Sequence, residues 1–121
     1  MGYRSDIAIQ FINQEEANKF IRTYAKHPRE IHGEKIKNLG YFTEYNEPEH
    51  VNEFGEVSYF WQDVKFYLNY PDVKAMVKTL ESNKFTCIFI RIGEDEDDEK
   101  RHFGQDVIKK PISIPVIRHW R

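Results

Sequence analysis

Hydrophobic and polar residues alternate along the chain in a way that predicts strands. Residues 3–12 place mostly apolar side chains at every second position, which is the period of a strand with one buried face. Residues 57–68 separate into a largely aliphatic side and a side that mixes aromatic with charged residues. Residues 85–92 are almost wholly apolar, which is typical of a central strand covered on both faces. We therefore predict a strand in each segment.

Two further segments carry apolar residues at helical spacing. The first covers residues 14–26, where Asn13 and Glu16 fit a capping box ahead of the apolar positions. The second covers residues 71–82, and Asn83 is suited to the left-handed backbone that often ends a helix. Two helices are predicted.

Two weaker strand signals complete the pattern. Residues 39–45 are rich in residues that favour strands, and residues 107–119 have strand character interrupted by Pro111 and Pro115. Proline cannot donate a ladder hydrogen bond, so the last strand is expected at a sheet edge. The resulting order, β-α-β-β-α-β-β, predicts an α+β fold: a ferredoxin-like two-layer sandwich with a mainly antiparallel sheet and both helices on one face.

Length and composition fit one globular domain over residues 1–121. Apolar residues make up 40% of the chain and the aromatic residues comprise 9 Phe, 7 Tyr and 2 Trp, which is too rich in large side chains for a disordered segment. The single cysteine, the polar N-terminal residues and the absence of a long apolar run predict a cytoplasmic protein that does not enter a membrane. Cys87, which lies among apolar neighbours, is expected to be a buried, inert thiol.

The charge is concentrated in one place. The net charge is only −2, but six of the 20 acidic residues are consecutive. The rest of the chain has 18 basic against 14 acidic residues, a small excess that argues against a general nucleic-acid coat. This acidic run consists of Glu94, Asp95, Glu96, Asp97, Asp98 and Glu99.

The acidic run has two interpretations. It can resemble the phosphates of a nucleic-acid backbone and occupy a basic groove on another protein, or it can be a solvated loop without a binding role. It lacks the alternating aspartates and the glycine of a calcium-binding loop, so it predicts no metal site.

A second candidate site is the sheet face turned away from the helices. If the apolar side of the first strand faces the helices, the opposite face is aromatic and charged. It could bind a partner protein, stack single-stranded nucleic acid, pair with a second copy in a homodimer, or serve only to stabilise the sheet and pack under the C-terminal segment. The predicted residues of this face are Arg4, Asp6, Tyr59, Trp61, Asp63, Lys65, Tyr67, Phe89 and Arg91.

Catalytic signatures are missing from the sequence. It contains no nucleophile elbow, no phosphate-binding P-loop, no H-E-x-x-H helix and no pair of CxxC motifs. The five histidines have no metal-site spacing. We therefore predict no cofactor, no metal and no catalytic residue, and a binding role is favoured over an enzymatic one.

Three segments together resemble known proteins: GYRSD at residues 2–6, WQDVKFY at 61–67 followed by YPDV at 70–73, and RIGED at 91–95. They are similar to segments in a group of small bacteriophage, prophage and bacterial proteins. The resemblance implies an accessory protein of a phage or mobile element that acts in the bacterial host cytosol by binding a host protein, such as a defence or nucleic-acid-processing factor. The resemblance implies no catalytic residue in this sequence. A single-stranded nucleic-acid-binding module and a small-molecule or nucleotide binder are the alternatives.

Overall fold

The described part of the chain forms both strands and helices. The computed structural model describes residues 5–26, 30–31, 34–35, 48, 50–64, 71–93 and 98–113. Its elements, in chain order, are β1 (Ser5–Phe11), α1 (Gln14–Lys26), β2 (Glu30–Ile31), β3 (Glu34–Lys35), β4 (His50–Val51), β5 (Val57–Val64), α2 (Pro71–Glu81), β6 (Cys87–Gly93) and β7 (Glu99–Phe103).

Five strands form one open sheet in the order β4-β5-β1-β6-β7, and each neighbouring pair is antiparallel. The short strands β2 and β3 pair separately with each other. The predicted α+β class and the mainly antiparallel sheet are confirmed. The ferredoxin-like strand order is not confirmed exactly, because the sheet has the additional strand β7 at one edge and ends in the two-residue strand β4 at the other.

The last strand of the sheet differs from the prediction. Residues 107–113 are not a strand, so the strand predicted over 107–119 is wrong in its described part. The sheet instead ends with β7, which begins at Glu99 within the acidic run. Three of the five residues of β7 are charged, so its sequence shows no apolar alternation, and its pairing with the apolar β6 defines it as a strand. The strand predicted over 39–45 lies outside the described residues.

Both helices lie where the sequence predicts them, and their ends show why. Glu16 N donates to Asn13 Oδ1 at 2.7 Å, which is the expected N-cap of α1, while the Glu16 carboxylate accepts a hydrogen bond from Thr86 N instead of closing the capping box. Asn83, just after α2, has the left-handed φ of 57°.

One face of the sheet packs against α1 and α2. At its centre the ring of Phe20 in α1 lies 5.0 Å from the ring of Phe11 in β1 and 5.5 Å from that of Phe85. We call this side the helix face. Its buried residues are Ile7, Ile9, Phe11, Ala17, Phe20, Ile21, Val57, Tyr59, Val73, Ala75, Met76, Leu80, Phe85, Cys87, Phe89 and Phe103.

The opposite face is covered by the chain that follows β7. Residues 107–113 contribute Ile108 and Ile112 to a second buried cluster. We call this side the strap face and residues 107–113 the strap. The buried sheet residues of the strap face are Ala8, Ile88, Ile90 and Ile92.

Buried polar side chains hold the strap. Gln10, which is fully buried, donates from Nε2 to Lys110 O at 2.9 Å and accepts from Ile112 N at 2.8 Å. The carboxylate of Glu56, 2% exposed, accepts from Lys109 N and from Lys110 N. These side chains form hydrogen bonds with the strap backbone as a neighbouring strand would. These backbone groups therefore have hydrogen-bond partners although the strap is not a strand of the sheet.

Candidate functional site

The predicted aromatic face is on the wrong side of the sheet. In the ladders of β1, Ile9 lies opposite both Tyr59 and Phe89, and Ile7 lies opposite Trp61 and Arg91. Directly opposed residues project from the same side of a sheet, so these four residues share the helix side with the apolar set of β1. Their predicted projection away from the helices is therefore wrong.

Tyr59 is part of the core. It is 2% exposed, its ring meets that of Phe11 edge-on at 5.9 Å, and its hydroxyl accepts from Gln14 Nε2 at 3.0 Å. Burial raises the pKa of Tyr59, against the opposing effect of the Gln14 hydrogen bond. A ring held in this way stabilises the packing of α1 on the sheet and cannot stack on a ligand without local unfolding.

Trp61 and Arg91 are more accessible. Trp61 is half-buried at the margin of the helix-face cluster and stacks on Tyr59 with a ring separation of 6.3 Å. Arg91 is half-buried, and its Nε donates to Ser5 Oγ at 3.2 Å. Phe89 is only 3% exposed. The predicted anchors therefore do not form one open aromatic surface among the described residues.

The remaining residues of that predicted face are separated or undescribed. Asp6 is buried on the strap side of the sheet, opposite Ile92. Asp63 lies in β5, but its side chain is outside the described part of the structure, as are Arg4, Lys65 and Tyr67.

The acidic run connects two paired strands. Arg91 near the end of β6 lies opposite Glu99, the first residue of β7, so residues 94–98 connect two adjacent antiparallel strands of the sheet. Glu99 forms an ion pair with Arg101 at 3.6 Å, and Asp98 is half-buried. Glu94, Asp95, Glu96 and Asp97 lie outside the described residues. The connection is shorter than the predicted one because β7 starts eight residues before the predicted strand.

Sequence reasoning missed a groove beside α2. It has a volume of about 720 Å³, and three of its lining residues are lysines that have no ion-pair partner within the described part of the chain. We call it the lysine groove. The spacing of Lys74 and Lys78 by one helical turn was the signal available in the sequence. The lining residues are Thr23, Lys74, Val77, Lys78, Thr79, Glu81, Ser82 and Lys84.

Arg101 of β7 lies between the lysine groove and the last residue of the acidic run. Its guanidinium pairs with Glu81, which lines the groove, and with Glu99, the last residue of the run, at 3.6 Å each. Asn83 next to the groove accepts from Gly104 N, just beyond the end of β7. The groove and the acidic run share no residue, but they adjoin at Arg101.

A reactive thiol, a group of metal-binding side chains and a membrane-spanning helix are all absent from the described residues. Cys87 is buried on the helix face, as predicted, and burial raises its pKa to about 12, which keeps the thiol protonated. Within the described ranges, no three His, Cys, Asp or Glu side chains are grouped so that they could hold a metal ion. Neither described helix has the length and apolar character needed to cross a bilayer.

Comparisons of the chain with protein-family models, curated proteins and solved structures find no match. Two candidate binding surfaces are the acidic run of the sequence and, among the described residues, the lysine groove.

Proposed function

We propose that this chain is a non-enzymatic accessory protein that binds a host protein at a basic, nucleic-acid-binding surface. The acidic run makes the contact, with its carboxylates in the positions of nucleic-acid phosphates. The proposal includes a role as an accessory protein of a phage or mobile element, which the resemblance to phage and prophage proteins suggests.

One observation carries the proposal: the acidic run is the connection of a short antiparallel hairpin. The pairing of Arg91 with Glu99 brings the two ends of the connection together, so its negative charge is confined to one end of the sheet. Concentrated charge of one sign speeds association with an oppositely charged surface. A long loop leading to a distant strand would spread this charge.

The number of charges also supports the proposal. The six consecutive acidic residues carry one negative charge per residue. One DNA strand likewise carries one negative charge per nucleotide.

The nucleic-acid-binding alternative has less support, because two of the aromatic residues that it needs are buried. Tyr59 and Phe89 are buried under the helices, and the strap covers the other side of the sheet. Single-strand binding through stacking needs accessible aromatic faces. The acidic run opposes such binding as well, because it repels phosphate.

The test compares two variants with the same change in net charge. E94Q/D95N/E96Q neutralises the first half of the acidic run, whereas E15Q/E53Q/D106N neutralises three exposed acids elsewhere. Each tagged protein is used to capture proteins from nuclease-treated bacterial lysate at low salt, followed by quantitative mass spectrometry. We expect a protein that the wild type and the control variant retain, that the acidic-run variant does not, and that duplex DNA releases.

Equal retention by both variants would refute the role of the acidic run. Retention that depends on the run but resists duplex DNA would place the contact outside a nucleic-acid-binding surface of the partner, and would refute the phosphate-mimic mechanism.

A further inference from the structure

We propose that the lysine groove binds a nucleotide, with its lysines on the phosphates and its apolar floor under the base. This site contains no residue of the acidic run and goes beyond the proposed function. The proposal rests on the charges, floor and hydroxyl groups of the groove.

The charge balance of the groove favours an anionic ligand. Lys74, Lys78 and Lys84 line it together with one acid, Glu81, whose carboxylate already pairs with Arg101 at 3.6 Å. All three lysines are exposed, so their ammonium groups reach the groove without a desolvation cost. Several ammonium groups around one recess are suited to the multiple charges of a phosphate chain.

Helix stability does not explain this arrangement. Lys78 lies in the last turn of α2, where a cation is favoured by the helix dipole, but Lys74 lies near the first turn, where a cation is disfavoured. Lys74 and Lys78 are also four residues apart, and like charges at this spacing repel. An anion bound between them would remove that repulsion.

The floor of the groove is apolar. Val77 is half-buried, packs against the helix-face cluster and lines the groove between the two lysines. The methylene stems of the lysines extend this apolar surface. A planar base fits such a floor, and a volume of about 720 Å³ lies within the range of small-molecule sites.

Two hydroxyl groups favour a ligand that also donates hydrogen bonds. Thr23 Oγ1 donates to Lys19 O at 2.9 Å, and Ser82 Oγ donates to Thr79 O at 2.6 Å. Because both protons are used in hydrogen bonds to backbone carbonyls, these oxygens can only accept from a ligand, and Ser82 Oγ also accepts from Lys84 N at 3.4 Å, which leaves it one lone pair. Ribose hydroxyl and base amino groups supply such donors, whereas phosphate or an acidic side chain does not.

The experiment is calorimetric titration of the full chain in metal-free buffer containing EDTA. The probes are ATP, GTP, adenosine, inorganic tripolyphosphate and a single-stranded oligonucleotide. We expect saturable binding of at least one nucleotide that is tighter than binding of adenosine or tripolyphosphate. The K74Q/K78Q variant should weaken it by about tenfold or more, because two charge-assisted contacts are lost.

The control is K19Q/K100Q, which removes two exposed lysines outside the groove and should leave nucleotide binding unchanged. The E94Q/D95N/E96Q variant should also bind nucleotide normally, which separates this proposal from the function of the acidic run. Circular dichroism checks that each variant is folded.

Four results would overturn the proposal. Absence of binding, or binding that K74Q/K78Q does not weaken, would exclude the lysine groove. If tripolyphosphate binds as tightly as a nucleotide, the groove binds anions in general and does not recognise the base. Binding of the oligonucleotide alone would make the surface a nucleic-acid contact.

Discussion

The two faces of the sheet are both buried, but by different means. The helix face is closed by two regular helices, mainly through apolar side chains such as Phe20 and Met76. The strap face is closed by seven residues without regular structure, and two buried polar side chains, Gln10 and Glu56, hold their backbone. An irregular segment can therefore cover a sheet when buried side chains in the sheet and beside it supply its missing hydrogen-bond partners.

The difference follows from where backbone hydrogen bonds are made. A helix satisfies its own peptide groups and brings only side chains to the sheet. An extended segment brings unsatisfied N–H and C=O groups, and burying them unpaired is costly. Gln10 and Glu56 avoid this cost by forming hydrogen bonds with the backbone of Lys109, Lys110 and Ile112. The strap therefore depends on a few specific hydrogen bonds, whereas the helix face depends on many non-specific apolar contacts.

The largest expected effect is on the helix face. Phe20→Ala removes a fully buried ring that packs against Phe11 and Phe85, and should lower the free energy of unfolding by about 3–5 kcal/mol. Urea unfolding followed by circular dichroism measures the change. The control is Phe54→Ala, because Phe54 is 50% exposed and should matter much less. Equal losses in the two variants would show that the helix face does not dominate stability.

The second effect concerns the turn that leads from β7 into the strap. Gly104 has a φ of +89°, and an added Cβ would lie 2.5 Å from Thr86 Cα, whereas Gly55 has a φ of +76° with open space around it. Both alanine variants should suffer backbone strain of about 1–2 kcal/mol. Gly104→Ala should lose about 1–3 kcal/mol more through overpacking against the backbone.

Urea unfolding of the two glycine variants checks this difference. Similar stabilities would mean that the chain can leave β7 by another path, and that the close approach of Gly104 to Thr86 does not fix the start of the strap.

The smallest effect is on the hydrogen bonds of the strap. Gln10→Ala leaves Lys110 O and Ile112 N without their partner and should cost about 1–3 kcal/mol. Hydrogen exchange should show this loss as faster exchange at Ile112, with little change in α1. The matched control is Gln14→Ala on the helix side, where a hydrogen bond to Tyr59 Oη is lost. Faster exchange throughout the chain would show that the strap is not an independent unit.

The local structure of the chain was largely predictable. Helix α1 occupies the predicted residues 14–26, and α2 ends one residue before its predicted end. The N-cap at Asn13 and the left-handed Asn83 were also predicted, because caps depend on neighbouring residues. Strand β7 was not predicted, since its pattern becomes a strand only through pairing with β6.

The candidate surfaces were predictable in part. The acidic run is evident from the sequence, but its confinement by a short hairpin depends on the pairing of Arg91 with Glu99. The lysine groove unites residues of α1 and α2, such as Thr23 and Lys74, that only helix packing brings together. The buried roles of Gln10 and Glu56 depend on partners about half a chain or more away, and no local signal marks them.

The sequence by itself determined that the strands have two chemically different sides, and tertiary structure decided which sides face the helices. Alternation in β5 separates Tyr59 and Trp61 from Ser58 and Phe60 whichever way the strand faces. Because a strand repeats every two residues, rotating it or shifting its register by one residue exchanges the sides and leaves the local pattern unchanged. Only the ladder that places Tyr59 opposite Ile9 resolves this ambiguity, since it fixes both residues under the same helices.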